Sequence, residues 1–126
     1  MPYDITVERS FHATHALRLP DGSLEPVHPH DWPVRLTVAA DTLDGMQCVM
    51  DFHRLEAALD AVLAALNQTH LNDVPPFDTP AWNPSAERVA EHIATRVASS
   101  IPAPARVVSC QIGEAPGCYA TFIPAW

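Results

Sequence analysis

The stretch "LEPVHPHDWPV", residues 24–34, decides how this chain is read. It opens in a proline-punctuated loop and runs into "HDWPVRLTVAAD", whose alternating apolar and β-branched residues predict a strand. His28 and His30 stand two apart at the start of it, with Glu25 three residues before His28. In a strand, such a pair points to one side, roughly 6.5–7 Å apart along the chain. Two imidazoles so placed can share one ion through Zn–N bonds of about 2.0–2.1 Å. Pro29 between them suits a strand edge or start, where no ladder donor is needed. The plainer reading is a solvated strand end, because an H-x-H pair is common.

A third ligand has to come from another strand. "YDITVERSFHATHAL" predicts a long first strand in which Ile5, Val7, Arg9, Phe11, Ala13 and His15 share a face. His15 lies just before the loop that returns to His28, and is the natural candidate. Three neutral histidines leave a fourth position open, which marks a catalytic rather than a structural zinc. His12, an odd number of residues from His15, should aim at the opposite face. His53, in a first helical turn, and His92, within a second helix, read as exposed.

Outward from this region, "MQCVMDF" predicts a short third strand and Asp51 a helix N-cap. Leu55, Leu59, Val62 and Leu66 follow at helical spacing, so residues 52–66 form an amphipathic helix. "NDVPPFDTPAWNP" is a connection. Asn83 and Pro84 suit the cap and first turn of a second helix with Val89, Ile93 and Val97 as its buried stripe. "IPAPA" ends it. "RVVSCQI" and "CYATFI" are the last strands, joined by "GEAPG". The order predicts an α+β fold: antiparallel sheet with two helices on one face.

With 126 residues the chain is expected to be one domain, residues 1–126. Its 48% apolar content suits a globular core. The net charge of −8, with seven arginines and no lysine, argues against nucleic acid and anionic membranes. No apolar run approaches the ~20 residues of a membrane span. "MPYDITVERS" lacks the pattern of a secretory signal, so the cytoplasm is the expected compartment. Cys48, Cys110 and Cys118 form no C-x-x-C pair, which disfavours disulfides and a thiolate zinc site. They read as small buried apolar residues.

Five motifs in order resemble one family, the 6-pyruvoyl-tetrahydropterin and 6-carboxy-tetrahydropterin synthases. "FHATHAL" is similar to its F-x-A-x-H element, and "HPH" sits where the family has H-G-H. "MDFHRLEAAL" resembles V-D-F-x-x-L-K, "NPSAERVAEHI" resembles P-T-x-E-N-x-A, and "GEAPGCYATF" resembles the closing glutamate–tyrosine element. Each is weak alone, but their order over about 110 residues is specific. The resemblance implies the tunnelling fold (T-fold), whose subunits close a β-barrel as trimers or hexamers. It also implies Zn2+ held by His15, His28 and His30, and a pterin anchored by Glu114. A carboxylate matches the adjacent N–H donors of a pterin ring.

Two departures bear on function. The family's cysteine before the H-x-H pair is missing, because residues 21–27 read "DGSLEPV". The L-D-H-x-x-L-N element, whose aspartate and histidine help activate the nucleophile, reads "LNQTHLN", with Asn67 and Gln68 at those positions. Amides are neither bases nor useful proton donors. E-x-x-H-x-H resembles a subgroup in which glutamate replaces the thiol and the side chain of dihydroneopterin is cleaved. Glu25 is therefore the candidate base. His70, two residues beyond Gln68, is a second catalytic candidate if its loop brings it near. The expectation is a zinc-dependent lyase acting on the C6 side chain of a reduced pterin, with dihydroneopterin cleavage favoured over carboxy-pterin formation. The alternative is a homologue that binds zinc and pterin with little turnover.

Overall fold

The structure, a computed structural model, describes residues 1–126. Strands β1 (Tyr3–His15) and β2 (His28–Ala40) pair antiparallel along their whole length, from Tyr3↔Ala40 to His15↔His28. Helix α1 (Phe52–Leu63) follows, then the two-residue strand β3 (Thr69–His70) and helix α2 (Ala86–Ala98). Strands β4 (Arg106–Ala115) and β5 (Cys118–Phe122) close the chain as a hairpin. The sheet order is β3-β1-β2-β4-β5; β3 runs parallel to β1 and the other pairs are antiparallel.

Alternation in the strands sends one face to the core. Val7, Phe11, Trp32, Val34, Leu36 and Ile112 are buried there, under Leu55, Leu59 and Leu63 of α1 and Val89, Ile93 and Val97 of α2. Burying each such side chain contributes about 1.5–3 kcal/mol. Arg9, also on this face, ties α1 to β1 by reaching Asp60 at 2.8 Å and Glu56 at 3.0 Å. The other face is polar. It carries Thr6 against Thr37 at 2.7 Å, Arg35 against Glu8 at 3.1 Å, and His12 against Asp31 at 3.0 Å.

The expected third strand at "MQCVMDF" is absent. Asp44 instead accepts hydrogen bonds from the Met46 and Cys48 N–H groups at 2.8 and 3.0 Å, and Gln47 takes a φ of 62°. An aspartate that bonds its own downstream backbone outcompetes a strand ladder. The third strand is formed by Thr69–His70, after the first helix. Asp51 caps α1 as expected, accepting from the His53 N–H at 3.0 Å. The cap of α2 is Ser85, not Asn83, because Asn83 and Pro84 are engaged elsewhere. Cys110 is buried, but Cys48 and Cys118 are exposed, contrary to the expectation for all three. His92 is half-buried against Phe77 rather than exposed, with ring centroids 5.2 Å apart.

Candidate metal and ligand site

β2 runs past the end of β4. Residues His28–Pro33 are paired with β1 alone, and pairing with β4 begins at Val34. This leaves the paired ends of β1 and β2 facing the tip of the β4–β5 hairpin. The alternation that buries Phe11, Ala13 and Trp32 also turns His15, His28 and His30 to the helix side. His15 is fully buried, with its ring edge against Trp32 at 4.8 Å.

The three rings converge through one kind of atom. His15 Nε2 lies 2.7 Å from His28 Nε2 and 3.2 Å from His30 Nε2. On the far side of each ring, Nδ1 meets a backbone carbonyl: Pro84 at 2.8 Å from His15, Pro26 at 3.2 Å from His28, and Asp31 at 3.2 Å from His30. A carbonyl only accepts, so each Nδ1 carries the proton and each Nε2 presents a lone pair. Three lone pairs aimed at one another repel unless a cation stands between them. Carbonyl acceptors behind ligating histidines are the usual support of a metal site. Tetrahedral zinc bonds of about 2.0–2.1 Å space neighbouring nitrogens about 3.3–3.4 Å apart, so the rings stand within roughly 0.7 Å of that arrangement. Glu114, on β4, completes the group with Oε1 3.4 Å from His15 Nε2. The donor atoms of all four residues lie within 4.8 Å of one another, and the cluster can hold a metal ion.

The electrostatics agree with this donor set. Burial pushes the His15 imidazole below the ordinary histidine range, and the charges of His28 and His30 push the same way. The Pro84 carbonyl and Glu114 oppose that shift. The neutral ring, which is the metal-binding form, is thereby favoured.

Glu25 stands behind the cluster rather than in it. Its Oε1 accepts from the Leu17 N–H at 2.9 Å and lies 3.9 Å from His28 Nδ1. The segment that follows His15 is clamped residue by residue. Asn72 accepts from the Ala16 N–H at 2.9 Å and donates to its carbonyl at 2.8 Å. Asn83 does the same for Arg18, at 2.8 and 3.0 Å. Glu25 completes the set at Leu17, where its own N–H donates to the Leu17 carbonyl at 3.0 Å. These amides carry no periodic signal in sequence. Asn83, before a proline, imitates a helix cap.

His70 lies elsewhere. Its backbone pairs with Thr14, whose hydroxyl is 2.8 Å from His70 Nδ1, on the sheet face opposite the histidine cluster. The Asn67 side chain is spent on the backbone of His12, its Oδ1 accepting the His12 N–H at 3.0 Å, while the Gln68 backbone N–H donates to the His12 carbonyl. Within one chain, the structure brings together His15, His28, His30 and Glu114, places Glu25 beside them, and leaves His70 apart. No thiol joins the group, and burial pushes the Cys110 thiol up to about 12.

Comparison with known proteins gives the family from a family model, a distant relative in sequence, and the fold from solved structures. The chain matches the 6-pyruvoyl tetrahydropterin synthase family over residues 4–124. It is 27% identical over 110 residues to the dihydroneopterin monophosphate aldolase of Pyrococcus furiosus, covering 87% of this chain and 88% of that protein. Its fold superposes on Caenorhabditis elegans 6-pyruvoyl tetrahydropterin synthase with a TM-score of 0.80 at 21% identity, covering 98% of this chain and 97% of the other. It also superposes on a Plasmodium vivax 6-pyruvoyltetrahydropterin synthase in which a catalytic glutamate is replaced by alanine. That match has a TM-score of 0.74 at 19% identity, covering 95% and 96% of the two chains. With its T-fold sheet, its two helices on one face and a match along almost its whole length, the chain belongs to the 6-pyruvoyl tetrahydropterin synthase family.

Proposed function

We propose that the protein is a zinc-dependent lyase that acts on the C6 side chain of a reduced pterin, and that its reaction is the cleavage of dihydroneopterin rather than carboxy-tetrahydropterin formation. The observation that carries this reading is the trio of Nε2 lone pairs, each backed by a carbonyl on Nδ1. His15, His28 and His30 would hold the ion. Zinc there supplies Lewis-acid polarisation of side-chain oxygens.

The remaining roles fall to the chain's own groups. Glu114 holds the flat ring by accepting from its adjacent N–H donors, a two-point contact that suits a carboxylate. Glu25 takes the proton of the 2′-hydroxyl. The 2′-oxygen becomes a carbonyl as the C1′–C2′ bond breaks, so the outer two carbons leave as glycolaldehyde; the bond's electrons pass into the C6=N5 imine, and protonation at C1′ gives 6-hydroxymethyl-dihydropterin. The Leu17 N–H and the clamps at Ala16 and Arg18 hold the Glu25 carboxylate in place beside His28. The named activity of the Pyrococcus furiosus relative supports a pterin side-chain cleavage. The catalytic glutamate of the Plasmodium vivax protein supports a carboxylate in the role of base. In this reading the whole chain acts as one domain, in the cytoplasm. The edges at β3 and β5 pair with further copies to give a trimeric or hexameric barrel. His70 enters the chemistry only if such a neighbour presents it to the site.

To test this, the zinc-loaded protein is incubated with dihydroneopterin and the products are separated. The expected product is 6-hydroxymethyl-dihydropterin, with turnover reduced about 10²–10⁴-fold in Glu25→Gln at unchanged zinc content. Equal turnover in the two proteins removes Glu25 from the mechanism. A second reading, a zinc- and pterin-binding homologue with little turnover, is favoured by amides standing at both Asn67 and Gln68, the first with its side chain committed to the His12 backbone. Pterin binding that needs Glu114, without conversion, would select it.

A further inference from the structure

Glu25 is held by a single residue, Leu17. Its Oε1 accepts from the Leu17 N–H at 2.9 Å, and its own N–H donates to the Leu17 carbonyl at 3.0 Å. Leu17 lies beyond the end of β1 at His15, so no ladder of the sheet fixes its peptide groups. A peptide unit is a rigid plane whose C=O and N–H point in opposite directions, so holding one end sets the other. The unit between Ala16 and Leu17 carries the N–H that holds the Glu25 carboxylate. Its other end, the Ala16 carbonyl, accepts from Asn72 Nδ2 at 2.8 Å. The unit between His15 and Ala16 gives its N–H to Asn72 Oδ1 at 2.9 Å. One amide side chain thus grips two successive planes, and both of its ends are spent.

Asn83 acts one plane further on. Its Oδ1 takes the Arg18 N–H at 2.8 Å, in the unit whose carbonyl accepts from the Glu25 backbone. Asn83 therefore steadies the main chain at Glu25, and Asn72 the carboxylate. Asn72 is fixed in its turn. It sits in the short 3₁₀ turn Leu71–Asp73, next to the fully buried Leu71. The residues before it follow β1 step by step: the Asn67 side chain and the Gln68 N–H hold His12, and Thr69 and His70 pair with Ala13 and Thr14. Asn72 is not one of the convergent donors His15, His28, His30 and Glu114.

We infer that Asn72 is a positioning residue: through the Ala16–Leu17 peptide plane it holds the Glu25 carboxylate where it acts as the base, without itself touching ion or substrate. The inference rests on the pterin-lyase reading and adds to it the side chain on which the base depends. A reacting group displaced by about 1 Å costs up to a hundredfold in the chemical step. Binding of the ring falls to Glu114 in that reading, so the loss should appear in kcat rather than in KM.

The test is a double-mutant cycle on the zinc-loaded full chain with dihydroneopterin as substrate. Asn72→Ala should lower kcat about tenfold to a hundredfold, with KM within about twofold and zinc content unchanged. Asn72→Asp keeps the acceptor for the Ala16 N–H and loses the donor to the Ala16 carbonyl, so it should lose a similar factor; it carries the test if Asn72→Ala does not fold. In a Glu25→Gln background either replacement should change turnover by less than about threefold, because the group being positioned is already gone. Amide hydrogen exchange gives a readout apart from turnover. In both Asn72 variants the Leu17 amide should speed up by about tenfold more than that of Leu36, which is fully buried and reports global opening. If kcat is kept, if the loss is the same with and without Glu25, if zinc is shed, or if Leu17 follows Leu36, the inference is overturned while the lyase reading stands. If wild type does not convert dihydroneopterin, the lyase reading falls and this inference with it.

Discussion

The histidine cluster makes a prediction about stability that separates ligand from scaffold. His15 and His28 are equivalent as donors and opposite in surroundings. His15 is fully buried, touches Trp32 and gives its Nδ1 proton to the Pro84 carbonyl. The His28 side chain is 43% exposed and its Nδ1 meets the Pro26 carbonyl at 3.2 Å. In the metal-free protein, His15→Ala leaves a buried acceptor unpaired, at a cost of about 1–3 kcal/mol. It also leaves a hole in a packed core, and the two effects together should cost about 3–5 kcal/mol. His28→Ala removes a surface ring and should stay within about 1 kcal/mol of wild type. Zinc separates both variants from wild type. At a thousandfold excess over its dissociation constant, a ligand specific to the native state adds about 4.1 kcal/mol. For a chain of this size that corresponds to roughly 12–20 °C in Tm. Wild type should gain this, and both variants should lose most of it. The assay is thermal and denaturant unfolding of the three proteins after chelation and after zinc addition. If zinc stabilises His28→Ala as much as wild type, the convergent lone pairs are not a metal site. If the two metal-free variants are equally stable, the contrast in burial has been misread.

Three further outcomes follow from the same coordinates. The Asn83→Ala variant loses two hydrogen bonds to the Arg18 backbone and should lose about 1–3 kcal/mol in a urea melt, with zinc content unchanged. At Gly113 an added Cβ would meet Pro33 Cγ at 2.6 Å, so Gly113→Ala must push β2 and β4 apart. It should cost about 1–3 kcal/mol and, by shifting Glu114, weaken pterin binding in calorimetry. Burial lowers the pKa of His15 and also of His92, where Arg96 adds to the effect. The unfolded chain therefore binds more protons than the native one below the ordinary histidine pKa of about 6.5. Stability of the metal-free protein should be complete above that pH and fall as the pH drops below it, and replacing His92 by Gln should flatten the slope in pH-dependent melts.

Much of this protein is written in local pattern. The period-two burial of Ile5, Val7, Phe11 and Ala13, the Leu55–Leu59 stripe and the Asp51 cap are each decided within a few residues, so strands, helices and the core face can be read directly. The H-x-H pair belongs to the same class, because strand alternation alone puts His28 and His30 on one side. Where local preference competes, the pattern misleads. "MQCVMDF" has the composition of a strand, yet Asp44 bonds the backbone of Met46 and Cys48 and turns it. Asn83 has the composition of a cap, yet its amide is taken by Arg18, some 65 residues away in sequence.

The amino-acid sequence by itself determined which side chains could be ligands and which face of the sheet they share, since both depend on residue type and a two-residue period. Tertiary structure alone decided the rest. The proton on each Nδ1 is set by carbonyls at Pro84, Pro26 and Asp31. The placement of Glu114 against His15 comes from a hairpin about a hundred residues downstream. His70 is separated from the cluster because parallel pairing with β1 turns it to the opposite face. Pro26 and Asp31 are sequence neighbours of the rings they support, but Pro84, Glu114 and the Thr14 partner of His70 lie far away in the chain, and no local preference encodes a partner that only the closed fold brings near.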